Sequence, residues 1–178
     1  MNRCPWCGTD ELYIKYHDEE WGVPVHDDQK HFEFLVLESA QAGLSWLTVL
    51  RKRENYRKAY DNFNANKVSE YDELKIEELM QNAGIIRNRR KIEASINNAK
   101  RFLEIQKEFG SFDKYIWSFV NNKVVKNHWN DITEVPATSE LSDKVSKDLK
   151  NRGFKFLGST IIYAHLQATG LINDHLAS

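Results

Sequence analysis

Apolar positions recur at helical spacing along most of this chain. Ile92, Ile96, Ala99 and Leu103 fall at i, i+4, i+7 and i+11, one stripe of an amphipathic helix. Lys91, Glu93, Lys100, Arg101 and Glu104 lie mostly off that stripe. Trp46, Val49, Leu50 and Arg53 open a similar segment over 45–60, with Ser45 as its N-cap. Phe32, Leu35, Val36 and Ser39 follow a candidate N-cap at Asp28, although this short apolar run also fits a buried strand. Ile76 and Leu79 mark a further helix, which Asn82-Ala83-Gly84 separates from the long helix ending near Glu108. Gly110-Ser111 precedes a helix from Phe112 to Phe119, and two more are predicted over 139–150 and 159–169. Residues 121–137 read as irregular, with a small strand at Val124-Val125.

Proline supports the helical reading. It occurs only at Pro5, Pro24 and Pro136, so residues 25–135 contain none. A proline costs about 3 kcal/mol inside a helix. With no internal repeat or low-complexity linker, the expectation is one all-α domain over residues 1–178, joined by short connections.

Composition narrows the setting more than the function. The net charge of −1 advertises no nucleic-acid binder, although a local basic face is compatible with it. No apolar run approaches the ~20 residues that span a membrane. Met-Asn-Arg-Cys-Pro-Trp-Cys lacks the apolar segment of a signal peptide. Two cysteines without an export signal point to a reducing compartment. A soluble, cytoplasmic monomer is expected.

Three groups of residues carry candidate chemistry. Trp6, Tyr13, Tyr16, Trp21 and Trp46 are rigid rings, and Glu38 is one carboxylate inside an apolar run. Together they suit a planar, electron-poor heterocycle, since a cation over an aromatic face gains about 0.5–2 kcal/mol. Rings of this kind equally fill cores. Gly84-Ile85-Ile86 lies between helices and is followed by Arg87, Arg89, Arg90 and Lys91. A helix–hairpin–helix motif uses such a turn to aim backbone N–H groups and the helix dipole at a phosphate. Lys147, Lys150, Arg152 and Lys155 form a second cluster that would flank the same backbone. Cys4-Pro5-Trp6-Cys7 has zinc-site spacing, with His17 and His175 as further ligand types.

A resemblance joins these groups. Cys4-Pro5-Trp6, Tyr13-x-x-Tyr16-His17-Asp18-x-Glu20-Trp21-Gly22 and Leu37-Glu38-x-x-Gln41-Ala42-Gly43-Leu44-Ser45-Trp46-x-Thr48-x-Leu50 resemble the type I 3-methyladenine DNA glycosylases. The likeness continues through Lys52-Arg53-Glu54-x-Tyr56, Ala83-Gly84-Ile85-Ile86-Arg87, Trp117-Ser118-Phe119-Val120, Arg152-Gly153-Phe154-Lys155-Phe156-Leu157-Gly158 and Asn173-Asp174-His175. It covers essentially the whole sequence.

The resemblance implies a helix–hairpin–helix DNA glycosylase with a structural zinc clip joining the N- and C-terminal segments. Cys4, His17 and His175 match three of its ligands. The family's fourth is a cysteine after that last histidine, where this sequence reads Leu176-Ala177-Ser178; Cys7 is the alternative its position offers. The implied activity is excision of 3-methyladenine from alkylated double-stranded DNA, releasing the free base. Glu38 is implied as the catalytic, base-recognising carboxylate, with Tyr16 and Trp46 in the same pocket; the chemistry of a cationic base adds Trp6 and Tyr13 as further walls, and Trp21 is expected as scaffold.

Chemistry adds four expectations. The target nucleotide must be rotated out of the duplex, and Gln41-Ala42-Gly43-Leu44 is the candidate for filling the gap it leaves. Gly84, Ile85, Arg87, Arg89 and Arg90 are expected at the DNA backbone. After Gly84 no acidic residue occurs before Glu93, so excision is expected to rely on the lability of a cationic base. No lysine stands out as a Schiff-base nucleophile, which predicts a monofunctional enzyme without strand cleavage. A zinc-stapled DNA-binding module without catalysis, or a glycosylase for another damaged base, would share many of these features.

Overall fold

The structure, a computed structural model, describes residues 3–176. Among the described residues ten α-helices carry the fold: α1 (Glu11–Glu19), α2 (Asp28–Ala40), α3 (Trp46–Arg51), α4 (Arg53–Ala59), α5 (Ala65–Ser69), α6 (Glu73–Gln81), α7 (Arg89–Phe109), α8 (Phe112–Ser118), α9 (Glu140–Asn151) and α10 (Ser159–Ala168). Two short strands, β1 (Val125–Lys126) and β2 (Ile172–Asn173), pair in parallel with Val125 opposite Ile172. None of the described helices is long and apolar enough to cross a membrane.

The ambiguous apolar run is helix α2, the centre of the fold. It packs against α3, α7, α8 and α10 and is buried on every side from His31 to Ala40. A helix enclosed in this way loses its polar face, and with it the period that separates helix from strand. Its N-cap is Asp27, one residue before the predicted Asp28, and the Asp27 carboxylate accepts from the Lys30 N–H. Asp28 instead accepts from the backbone N–H groups of Phe112 and Asp113 at 2.9 and 2.8 Å, which ties α8 onto α2.

The segment predicted as one helix over 45–60 is two. The chain bends at Lys52 (φ −96°, ψ 0°) between α3 and α4, so that Arg53 enters a buried ion pair. Its guanidinium donates to both Glu20 oxygens at 2.7 and 2.8 Å and to Glu33 at 2.7 Å, linking α4 to α2 and to the end of α1. α1 went unpredicted. Asp10 caps it through the Leu12 and Tyr13 N–H groups, and its inward face carries Tyr16 and His17 rather than aliphatic side chains.

α7 follows its predicted stripe through Ile92, Ile96 and Ala99, then drifts so that Phe102 and Ile105 are buried and Leu103 is half-buried. It stops at Gly110, whose φ of +89° is left-handed backbone that favours glycine. The helices predicted over 139–150 and 159–169 are α9 and α10. Ser139 and Ser142 form a reciprocal capping box at the start of α9. The predicted strand at Val124-Val125 is β1, displaced by one residue.

Candidate functional site

The cavity that collects the predicted ring residues lies where α1, α2, α3 and α10 converge, and measures about 330 Å³. Trp6, Tyr13, Tyr16, Glu38 and Trp46 all line it. Tyr13 and Tyr16 come from the inward face of α1, three residues apart, while Trp46 opens α3 behind its Ser45 N-cap. Trp6 sits on a short 3-10 turn (Pro5–Cys7) that presents its ring to Tyr13 at 5.0 Å between centroids. The Tyr16 and Trp46 rings are 5.7 Å apart, and these tilted contacts brace one another. Such walls suit a flat ligand.

Glu38 is 2 % exposed on the last turn of α2. Its Oε1 lies 2.6 Å from Nδ1 of the fully buried His165 on α10. Among the described residues, Oε2 has no protein partner in the cavity wall. Burial pushes the Glu38 carboxyl well above its usual range and pushes His165 down to about 3. Both directions favour a neutral pair, with the shared proton on the carboxyl. Burial, and then the nearby Glu38, also hold the Tyr16 phenol protonated far beyond neutral pH.

A second wall escaped the sequence reading. Ile132, Val135 and Pro136 of the irregular 121–137 segment also line the cavity. Four donors converge on the buried Asp174 to hold that segment and α10 in place. Asn127 Nδ2 and Trp129 Nε1 donate to Oδ1 at 2.7 and 2.8 Å, while Gln167 Nε2 donates to Oδ2 at 2.9 Å. The Tyr163 hydroxyl also donates to Oδ2. The Asn173-Asp174-His175 block was visible in the sequence, but the role of Asp174 as an anchor was not.

Cys4, His17 and His175 come together beside this cavity, their ligand atoms within 4.8 Å of one another. The hydrogen bonds turn one nitrogen of each histidine to an acceptor, and the His17 Nε2 lone pair points toward Cys4, whose backbone N–H donates to it at 3.3 Å. His17 Nδ1 faces Asp18 Oδ1 at 2.9 Å, and His175 Nε2 faces the Trp21 carbonyl at 2.9 Å. Donation to those acceptors fixes the tautomers that a metal requires, as outer-shell carboxylates and carbonyls do in zinc sites. Gly22 (φ +82°) makes room for this arrangement, since a Cβ there would lie 2.8 Å from His175 Nε2. The donor set therefore fits zinc. Cys7 does not join it: its thiol donates instead to the Cys4 carbonyl at 3.2 Å. Trp21 packs on the His17 and His175 rings at 5.7 and 4.7 Å, and one side of it reaches the cavity.

The loop after α2 stands at the cavity mouth. Gln41 lines the cavity, Gly43 takes φ +82° with open space around it, and Leu44 is 42 % exposed. Lys91 pins the base of this loop by donating to the Ala40 and Ala42 carbonyls at 2.9 and 2.8 Å.

The turn between α6 and α7 departs from the expected phosphate cradle. Gly84 N–H donates to Asn82 Oδ1 at 2.8 Å and Ile86 N–H to the Tyr56 hydroxyl at 3.2 Å, so neither donor is free. Ile85 is in the core, with 2 % exposure. Gly84 has no left-handed φ; a Cβ there would meet the Asn55 side chain at 3.0 Å, so the residue serves close packing. Arg87 and Arg90 are exposed. Arg89 is held by Glu73, Glu77 and Glu93 and is not available as a free cation. The second basic cluster lies against the first: Arg90 stacks over Phe156, and Asn98 brackets the backbone of Lys155.

Known proteins match this arrangement along its whole length. The family model described as methyladenine glycosylase covers residues 6–178. DNA-3-methyladenine glycosylase of Haemophilus influenzae is 50% identical over 174 residues, 98% of this chain and 94% of the relative. A crystal structure of 3-methyladenine DNA glycosylase I superposes with a TM-score of 0.96 at 46% identity, covering 99% of this chain and 97% of that one. A variant of 3-methyladenine DNA glycosylase I solved in complex with 3-methyladenine gives a TM-score of 0.96 at 39% identity, with 100% and 96% covered. On sequence and fold alike, this chain belongs to the methyladenine glycosylase family.

Proposed function

We propose that this protein is a DNA repair glycosylase that removes 3-methyladenine from alkylated duplex DNA by hydrolysing the N-glycosidic bond. One observation carries the reading: a buried carboxyl, Glu38, closes a cavity walled by Trp6, Tyr13, Tyr16 and Trp46. A purine methylated at N3 carries delocalised positive charge while attached to the sugar. Stacked rings and one carboxylate favour that charge over the neutral, unmodified base. The base departs neutral, so the carboxyl reads it and need not protonate it.

The lesion reaches such a cavity only after rotation out of the helix. The exposed Leu44, beside the open Gly43, is the side chain for the vacated stack. Arg87, Arg90 and the Lys155 stretch supply a sequence-independent charge for the backbone. Zinc on Cys4, His17 and His175 would clip the two ends of the chain together. Elemental analysis of the purified protein should return about one zinc per chain.

The deciding experiment is incubation with methylated duplex and identification of what is released. Free 3-methyladenine from an otherwise uncut strand is the expected result. Release of a different base, strand cleavage, or tight binding without release would each overturn the reading.

A further inference from the structure

Four imidazole and carboxyl groups that the chemistry above leaves unused form a line leading away from the cavity. His165 Nδ1 bonds Glu38 Oε1 at 2.6 Å, and its Nε2 faces Nδ1 of the buried His31 at 3.2 Å. His31 Nε2 then faces the Val25 carbonyl at 3.1 Å, with Asp113 Oδ1 at 3.7 Å. Beyond it, His26 Nδ1 bonds the same Asp113 oxygen at 3.1 Å and reaches the exposed surface. Residues 38, 165 and 31 come from α10 and both ends of α2, so the line spans the middle of the fold.

Counting protons along this line gives a definite result. A carbonyl only accepts, so His31 Nε2 must carry a hydrogen toward Val25. The gap between the two rings needs one hydrogen, and the gap between His165 and Glu38 needs another. Three hydrogens are required, while two neutral imidazoles supply two. The line is complete only when it holds one proton beyond a carboxylate and two neutral rings. That proton sits on Glu38, on His165, or on His31 beside Asp113.

We infer that His165 and His31 are positioning residues that set the charge of Glu38, by moving this proton toward Asp113 when a cationic base enters the cavity. The inference rests on Glu38 being the base-reading carboxyl. In the empty protein the proton belongs on Glu38. Its hydroxyl donates to His165 Nδ1, His165 Nε2–H donates to His31 Nδ1, and His31 Nε2–H donates to Val25. Burial, which opposes charge on all three groups, favours this state.

A positive ring beside Glu38 reverses the preference. The O–H bond of Glu38 breaks as His165 Nδ1–H forms; His165 Nε2–H then breaks as His31 Nδ1–H forms. Two hops leave Glu38 a carboxylate, His165 neutral and His31 a cation facing Asp113. No proton crosses to solvent and no partner loses its hydrogen bond. The groups that face the line are Tyr16 toward Glu38, and Asp113 with His26 toward His31. Asp113 is the charge among them able to hold the displaced proton.

The test uses the intact protein with side-chain ¹⁵N-labelled histidine, and two probes: the permanently cationic 3,9-dimethyladeninium ion and neutral 9-methyladenine. The spectra of the free protein should show His165 and His31 as neutral rings, each protonated at Nε2. Addition of the cation should convert one ring to the doubly protonated form, and neutral 9-methyladenine should not. Asp113→Asn should weaken binding of the cation on the order of tenfold, because a carboxylate at this distance shifts a histidine by at least about one pKa unit. Binding of 9-methyladenine and the thermal midpoint should change little. Unchanged ring spectra on binding the cation, or equal loss of both probes in Asp113→Asn, would overturn the inference. If Glu38→Gln binds the cation as tightly as wild type, it is the base-reading role of Glu38 that fails. His165→Asn serves as a further variant, with Asp113→Asn deciding if it does not fold.

Discussion

Glu38→Gln isolates what the buried carboxyl costs the fold. The amide has the same shape and can donate to His165 Nδ1 as the protonated carboxyl does, but it cannot ionise. Burial raises the folded carboxyl well above the 4.5 at which an unfolded one titrates. Between those two points the folded state holds a proton that the unfolded state has released. The carboxyl's contribution is therefore whole below pH 4.5 and is lost as pH rises through the folded value. One proton of difference amounts to about 1.4 kcal/mol per pH unit. For a chain of this size, about 1 kcal/mol moves Tm by roughly 2–4 °C. The variant should therefore gain roughly 3–6 °C on wild type for each pH unit above 4.5, until the folded carboxyl ionises. His165, pushed down to about 3, destabilises both proteins as pH falls below 6.5 and cancels in the difference. Calorimetric melts across acid to mildly alkaline pH read the gap directly. A gap independent of pH would refute the reasoning. The same variant should lose roughly tenfold to a hundredfold in affinity for the cationic base, since hydrogen bonds to charged groups contribute about 1.5–3 kcal/mol.

Arg87→Gln and Arg90→Gln should each reduce the salt dependence of duplex binding by about one counterion. Arg89→Gln, already neutralised by Glu73, Glu77 and Glu93, should change that slope much less; equal slopes for all three would contradict the assignment. Gly22→Ala puts a Cβ 2.8 Å from His175 Nε2 at a φ of +82°, so bound zinc and Tm should both fall. Retention of full zinc with an unchanged melt would remove His175 from the site. Lys91→Met frees the loop carbonyls of Ala40 and Ala42, and should slow base excision from duplex while leaving affinity for free base unchanged. A loss in both measurements would place its effect in the cavity instead.

The helices with one wet face were legible because their periodicity survives: α9 and α10 lie within a residue of their predicted bounds, and α7 ends one residue past its predicted end. α2 was ambiguous for a physical reason, since burial on all sides erases the contrast on which the pattern depends. α1 was missed because its inward residues are Tyr16 and His17, which serve the cavity and the metal trio and leave no aliphatic stripe. The ring residues and Glu38 were legible as types in one stretch of sequence. The wall at Ile132, Val135 and Pro136 was not, because Asp174 anchors it from more than forty residues away. The pairing of Arg89 was readable in hindsight: Glu73 and Glu77 share a face of α6, and Glu93 stands one turn along α7.

The buried polar line also explains how a cavity of this kind would reject undamaged purines. Five aromatic side chains line it, and every purine has a face to stack. Stacking therefore selects flat rings without selecting damage. A carboxyl kept protonated in the empty site presents no charge to a neutral base, and ionising it there has no compensation. A cationic base offsets that cost by direct attraction, while Asp113 stabilises the proton displaced to His31. Discrimination then depends on ligand charge more than on shape, and the same burial that lowers stability at neutral pH makes the carboxylate conditional on the lesion.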